Sequence, residues 1–565
     1  MAFIIFQRMK KVILLLLCVF GAYGANATQR SLEEMRQIAV AVLSQKVSLA
    51  KAQGKAAQWQ IEPLSKNDML TVMGSKQGGF VVISNDDATD AVLGYSLQPF
   101  SSTDNPEFKW WLNAITQVLK AEQAKGNTSL TRAVKPENGK AVEPLITSKW
   151  GQGAPFNNDC PGMGDSHYPT GCEATAMAQI MYHWKYPVKG TGSNMYSFNG
   201  DIYKADFSQT TYDWGNMIDD YSKSYTDQQA TAVATLMWHC GAAINMQYTA
   251  SGSGAFDVEA CNAFHNYFGY QDAQLYNRNY YSEEVWMKMV YQEIDAQRPI
   301  LYTGVDGTSG GHAFVLDGYN SDGLVHINWG WNGSEDGYYD IAKLNPANYS
   351  FSLQQGMIVG LTSEKIGNEY HSQITSSDLT MTSSSTRITL TGNFINLGTT
   401  QFDGLIGMAI VNMTTGASVI VKAKRYSLQE YKNGETFSAN GSFQSDWMKT
   451  PGVTYRVFLA SKSDKEDSWQ LVRNNNVDNA PYASSYLMTV DADNHISVTA
   501  ETSDLWTTAI RSVTNAQAKA DVITVYDAIG RKIYTSPAAS FRIEDVPVKG
   551  LIIIKDGKST HKIMK

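Results

Sequence analysis

Three side chains in this 565-residue sequence have the types and spacing for covalent acyl chemistry. Cys172 follows Thr170-Gly171 and opens Glu173-Ala174-Thr175-Ala176, an Ala- and Met-rich run that continues to Trp184, just before Tyr186-Pro187. The pattern predicts a loop turning into a buried helix with Cys172 in the first turn. Free N–H groups and the positive dipole end there favour a thiolate over a thiol. A structural cysteine at the start of a core helix fits the same residues, since free Cys is among the most buried residue types. The partners decide between the two. His312 opens a strand directly after Gly310-Gly311, 140 residues downstream of Cys172, within the roughly 130–150 residues that separate some Cys–His pairs. Glycines at that point let a substrate backbone approach closely. Asn328, in His326-Ile327-Asn328-Trp329-Gly330-Trp331, lies sixteen residues past His312. It is placed to fix the tautomer and ring orientation that a base requires, and the tryptophans would shield the pair from water.

These residues carry a resemblance. Thr170-Gly171-Cys172-Glu173-Ala174-Thr175-Ala176 with Ala178-Gln179-Ile180-Met181, then Gly310-Gly311-His312-Ala313-Phe314, then Asn328-Trp329-Gly330-Trp331, resemble the streptopain-like cysteine peptidases. Trp150-Gly151-Gln152 with Pro155-Phe156-Asn157 is similar to the start of that family's mature enzyme. The resemblance covers roughly residues 142 to 362. It implies a papain-like fold, Cys172 as nucleophile, His312 as proton acceptor and Gln152 as side-chain donor of the oxyanion hole. It also implies substrate-backbone contacts at Gly252-Ser253 and Gly311, with Trp329 counted in the same substrate-binding set. No cofactor and no metal are implied.

Three other site patterns are present. Gly307-Thr308-Ser309-Gly310-Gly311 matches G-x-S-x-G, but that elbow must leave a strand and enter a helix, whereas a strand follows here. His239-Cys240 with Cys261 and His265 has the types of a zinc set, yet these residues fall on apolar helical faces and no C-x-x-C pair exists. No H-E-x-x-H occurs, so a zincin is excluded on motif. Beyond the leader the cysteines are Cys160, Cys172, Cys240 and Cys261. Reserving Cys172 allows at most one disulfide.

Around the site, the chain reads as five segments. Residues 1–27 read as a signal peptide: Arg8, Lys10 and Lys11 precede the apolar run Val12–Phe20, and Ala25-Asn26-Ala27 is a small-residue cleavage site. Either Met1 or Met9 serves as the start. Residues 28–141 read as a separate unit, an inhibitory propeptide. In it Ser31 caps a helix carrying Met35, Ile38, Ala39 and Val42 on one face, Phe80–Ser84 and Val92–Tyr95 are strands, and Asn105-Pro106 starts a helix with Trp110, Trp111, Ile115 and Leu119. Residues 142–365 form the catalytic domain. Val233, Leu236, Met237 and Cys240 mark a helix stopping at Gly241, and Trp286, Met289, Val290 and Ile294 mark another. Strands at Ile300–Tyr302, Ala313–Leu316 and Leu324–Ile327 follow, giving an α+β layout. Residues 366–487, with short alternating runs between Asn-Gly, Thr-Gly and Pro-Gly turns, read as an immunoglobulin-like β-sandwich. Residues 488–565 form a small β domain that resembles the sorting domains of the type IX secretion system, which are recognised at the outer membrane.

Forty-six Lys and Arg against 54 Asp and Glu give a formal charge of −8, so nucleic acid and anionic surfaces are not the indicated partners. The expectation is a secreted or cell-surface cysteine endopeptidase made as a zymogen, acting on protein or peptide substrates and inhibited by its own propeptide. It has no stable membrane span, and the outer-membrane secretion machinery is a partner of its C-terminal domain. Two alternatives use the same residues. One is an acyltransferase or transglutaminase that passes the acyl group to an amine; the other is a surface-binding protein with a vestigial Cys site.

Overall fold

The computed structural model describes residues 28–564 apart from short internal stretches, the longest being 50–59, 125–134, 345–354, 365–371, 443–450, 475–483, 502–521 and 538–550. The expected signal peptide lies outside the described residues, as does most of the G-x-S-x-G stretch. Two compact units result: Met1–Arg278 with Trp286–Lys365, and Asn279–Val285 with Ile366–Lys565.

The first unit is built on one ten-stranded sheet. Its strands are β1 (Glu62–Lys66), β2 (Leu70–Gly74), β3 (Phe80–Ser84), β4 (Val92–Ser96), β5 (Gln274–Asn277), β6 (Ile300–Asp306), β7 (Gly310–Tyr319), β8 (Val325–Asn328), β9 (Gly337–Tyr339) and β10 (Gly356–Val359). They lie in the order β1-β2-β3-β4-β9-β8-β7-β6-β10-β5. The propeptide is therefore not the separate unit expected. Its last strand, β4, pairs antiparallel with β9 of the enzyme, Tyr95 opposite Tyr338, with the two rings stacked at 5.2 Å. A sheet edge left open in either part would expose a row of unpaired N–H and C=O groups; joining β4 to β9 satisfies both.

The helices are α1 (Leu32–Leu49), α2 (Pro106–Ala124), α3 (Cys172–Trp184), α4 (Asp227–Ala243), α5 (Asp257–Asn266) and α6 (Glu283–Asp295). Ser31 caps α1 through its Oγ, which accepts from the Glu34 N–H at 3.2 Å, and Met35 and Ala39 enter the core against Val81 and Ile83. In α3, ten of thirteen residues are buried, which identifies it as a core helix with no solvent face. Its Ala and Met content supplies the propensity. In α4, Gly241 does not end the helix, which runs on to Ala243. The Tyr248 hydroxyl occupies the space of a Cβ there, so that glycine permits close packing where a stop was expected.

The second unit contains two sheets around a shared core that includes Leu390, Phe394, Ile406, Leu459 and Met488. One sheet runs in the order Asn433–Ser442, Arg387–Asn396, Ile374–Ser384, Arg473–Asn474. The other has Ser418–Leu428, Phe402–Asn412, Thr454–Ser463, Ser485–Val490 and Ile496–Glu501 in sequence across it. The last of these pairs with Ser485–Val490, so the sandwich extends to Glu501, past the boundary expected at 487. Beyond it, Lys532–Pro537, Val522–Asp527, Leu551–Asp556 and Ser559–Met564 form an all-antiparallel four-stranded sheet. Among the described residues, no helix is long and apolar enough to cross a membrane.

Candidate active site

Gly171 precedes α3 with φ 86°, a conformation that L side chains rarely adopt. A Cβ there would come within 2.6 Å of Met246 Cε and 3.0 Å of the Ser253 carbonyl oxygen. Glycine is thus required on both counts, and it sets the first turn. The Gly171 carbonyl accepts from the Thr175 N–H at 3.0 Å and from its Oγ1 at 2.9 Å. Cys172 follows as a half-buried free thiol. Across from it stands β7, whose Ala313 N–H donates to the thiol, so the residue next to His312 touches the predicted nucleophile.

The thiol is nevertheless held in its neutral form. Burial is the largest cause, followed by the negative charges of Glu107 and Glu173; together they raise its pKa well above the ordinary cysteine value and outweigh the two N–H donors that lower it. The helix-terminus argument for a thiolate does not prevail in this state, because desolvation of a charge costs more than one helix end returns. Glu173 is itself buried, with Oε1 lacking a hydrogen-bond partner, and burial pushes its pKa far above the usual carboxylate range.

Glu107 was not singled out in the sequence, yet it touches two site residues. It sits in the first turn of the propeptide helix α2, capped by Asn105, whose Oδ1 accepts from the Phe108 N–H at 2.9 Å. Its Oε1 lies 3.8 Å from His312 Nδ1 and accepts from Gln152 Nε2 at 3.3 Å. His312 Nε2 is buried without a partner. On the same helix, Trp110 fills the space over Gly304, the residue directly opposite His312 on β6. The helix is also tied to the enzyme by Asn105 Nδ2, which donates to the Ser334 carbonyl at 3.0 Å and to Glu335 Oε2 at 3.1 Å, and by Trp111 Nε1, which donates to the Asp340 carbonyl at 2.9 Å. A lone Glu at a helix start is ordinarily explained by the dipole, so only its spacing from Trp110 and Trp111 hinted at a contact.

Other expected site residues fall differently. Asn328 does not reach His312: its Oδ1 accepts from Gln179 Nε2 and the Gly330 N–H, each at 3.0 Å, and its Nδ2 donates to the Ser148 carbonyl at 2.8 Å. With both ends of the amide engaged, nothing remains to orient an imidazole. Trp329 is fully buried against Phe314, Tyr339 and the propeptide's Phe108, a core position and not a substrate contact. Ser253 flanks Gly171 and its Oγ is buried without a partner, whereas Gly311 is exposed beside His312. Both remain where a substrate backbone would pass. The zinc-type residues are core packing: His239 Nδ1 meets the Tyr212 hydroxyl at 3.0 Å, Cys240 Sγ lies 3.6 Å from Met181 Sδ, and His265 Nε2 donates to the Ala273 carbonyl at 2.6 Å.

Residues 150–339 match the Peptidase C10 family, and residues 29–119 match the Spi protease inhibitor family. The chain is 31% identical over 327 residues to streptopain of Streptococcus pyogenes, an alignment spanning 54% of this chain and 81% of streptopain. This chain belongs to the Peptidase C10 family. It is a cysteine peptidase, and its N-terminal part is the family's inhibitory propeptide. This C10 peptidase is also 32% identical over 327 residues to the thiol protease/hemagglutinin PrtT of Porphyromonas gingivalis, covering 52% of this chain and 36% of that protein. Among solved structures it is similar to a prointerpain A fragment of Prevotella intermedia, at 44% identity and TM-score 0.51, covering 54% of this chain and 99% of the fragment. The papain-like α+β fold with an N-terminal propeptide is thus the family's own.

Proposed function

We propose that this C10 peptidase is a secreted cysteine endopeptidase that hydrolyses peptide bonds through Cys172 and His312, and that Glu107 holds it latent. In the mature enzyme, the Cys172 thiolate, paired with the His312 imidazolium, attacks the scissile carbonyl carbon. Gln152 Nε2 and the Cys172 N–H receive the oxyanion; such donors contribute roughly 3–4 kcal/mol each where they have been removed. His312 then protonates the leaving amine, and water cleaves the thioester.

The observation that carries this reading is that one propeptide carboxylate engages His312 and Gln152 together and raises the Cys172 pKa. A carboxylate placed on all three groups makes sense as a latch if those three are the machinery. Withdrawing α2 would free His312 Nδ1 and Gln152 Nε2 and take a negative charge from the thiol. Thiol-directed labelling at Cys172 combined with casein hydrolysis tests it: activated protein is labelled at Cys172 and loses hydrolysis in proportion. Hydrolysis that survives complete labelling sinks the proposal, and transfer to an added amine in preference to water favours an acyltransferase.

Export rests on the leader-like residues 1–27 and on the C-terminal β sheet, whose four strands stand apart from the sandwich in pairing and are consistent with a sorting module. Cell fractionation of a chain lacking this sheet tests that part.

A further inference from the structure

We infer that Gln179 is a positioning residue for the reaction: it sets Gln152 against Cys172 by holding the strand of chain that carries Gln152 onto the nucleophile helix. This rests on the oxyanion role of Gln152 proposed above.

Gln179 lies two turns along α3 from Cys172 and is completely buried. A buried primary amide is costly unless its groups are bonded, and here it is bonded to two separate segments. Its Oε1 accepts from Ser148 Oγ at 2.9 Å and from the Trp150 N–H at 3.4 Å. Its Nε2 donates to Asn328 Oδ1 at 3.0 Å, and Asn328 Nδ2 returns to the Ser148 carbonyl at 2.8 Å. Side chains and backbone close a ring in which Ser148 is gripped through both its hydroxyl and its carbonyl. Gln152 is only two residues beyond Trp150. Its own carbonyl accepts from the Thr170 N–H at 3.1 Å, leaving the far side of the segment, at 148–150, to be fixed by Gln179. The Trp150 carbonyl also accepts from the Asn332 N–H at 3.0 Å, and a Cβ at Gly151 would meet the Asn332 side chain at 2.7 Å. The segment therefore has little room to move once the amide ring is closed.

An oxyanion donor acts only if it sits within hydrogen-bond reach of where charge develops, so a loosened segment loses kcat and not substrate binding. The experiment uses the full chain activated in trans by a catalytic amount of the wild-type protein, comparing Gln179→Leu, Gln152→Ala and the double variant. Gln179→Leu is expected to lower kcat on the order of 10²-fold, the scale of losing one donor, with KM nearly unchanged. The double variant should be no slower than Gln152→Ala alone, because residues acting as a unit are non-additive. Alkylation of Cys172 by iodoacetamide, which develops no oxyanion, should proceed at the wild-type rate. A normal kcat in Gln179→Leu, losses that multiply in the double variant, or slowed alkylation would overturn the inference. If Gln152→Ala leaves kcat unchanged, the parent reading fails and this one with it; if Gln152→Ala is slow but Gln179→Leu is not, only this one fails.

Should Gln179→Leu not fold, Gln179→Glu supplies the test. Its protonated carboxyl repeats both bonds, accepting from Ser148 and donating to Asn328, whereas the ionised form loses the donor. Its kcat relative to wild type should fall as pH rises, with KM level, and the fall should vanish in the Gln152→Ala background. A pH-independent ratio would overturn the inference.

Discussion

His312 Nδ1 faces Glu107 Oε1 at 3.8 Å, and that same oxygen accepts from Gln152 at 3.3 Å. A single propeptide atom thus occupies two of the groups proposed for catalysis. Latency here is electrostatic as much as steric, which gives it a measurable signature at the thiol.

Glu107→Ala should make Cys172 in the unprocessed chain more reactive. Glu107 raises the Cys172 pKa, second only to burial, so removing the carboxylate increases the thiolate fraction at any fixed pH below that pKa. The alkylation rate of the precursor at pH 8 should rise roughly three- to tenfold, since burial persists. An unchanged rate would remove Glu107 from the account of the thiol.

Gln152→Ala should lower kcat on the order of 10²-fold while KM moves little, because the donor acts as charge develops. Steady-state kinetics on a peptide substrate decide this, and an equal rise in KM would mark Gln152 as a binding contact instead.

The chemistry was legible in the sequence wherever one residue and its immediate neighbours sufficed. Gly171 with Cys172 read correctly because the turn demands a positive φ there, and the α1 and α2 starts read correctly from Ser31 and Asn105-Pro106. What failed depended on contacts distant in sequence. Asn328 had the right type and spacing for a histidine partner, yet Gln179, 149 residues earlier, claims its amide oxygen. Trp329 looked like a shield over a cleft and is packed beneath Phe108 of the propeptide. The joining of β4 to β9 could not be read from either strand, because each has the alternation of an ordinary edge. Glu107 carried no local mark at all.

Asp336 provides a pH test of the precursor fold. Burial raises its pKa to about 7 from the usual carboxylate value, so the folded state keeps a proton that the unfolded state releases near pH 4. The stability this contributes is fully present below about pH 4 and is lost as pH rises toward 7. Asp336→Asn keeps an oxygen for the Trp329 N–H bond, 2.9 Å in the native chain, without titrating. Relative to the variant, the wild type should lose up to about 1.4 kcal/mol per pH unit across that window and then level off. Denaturant unfolding of both proteins at several pH values measures it; a constant difference would show that Asp336 is ionised throughout.

Deleting the residues after Glu501 should leave casein hydrolysis at the wild-type rate while retaining the protein in the cell envelope. Cys172, His312 and Gln152 all lie in the first unit. Fractionation together with an activity assay on each fraction separates the two effects. Normal export of the truncated chain would end the sorting-domain reading, and an inactive but folded product would bring the C-terminal unit into catalysis.

The central claim is that Cys172 is the nucleophile, and casein hydrolysis by purified Cys172→Ala beside the wild type tests it most directly. No hydrolysis above background is predicted, with the folded precursor remaining uncut at its propeptide. Hydrolysis at a rate comparable to wild type would contradict the account.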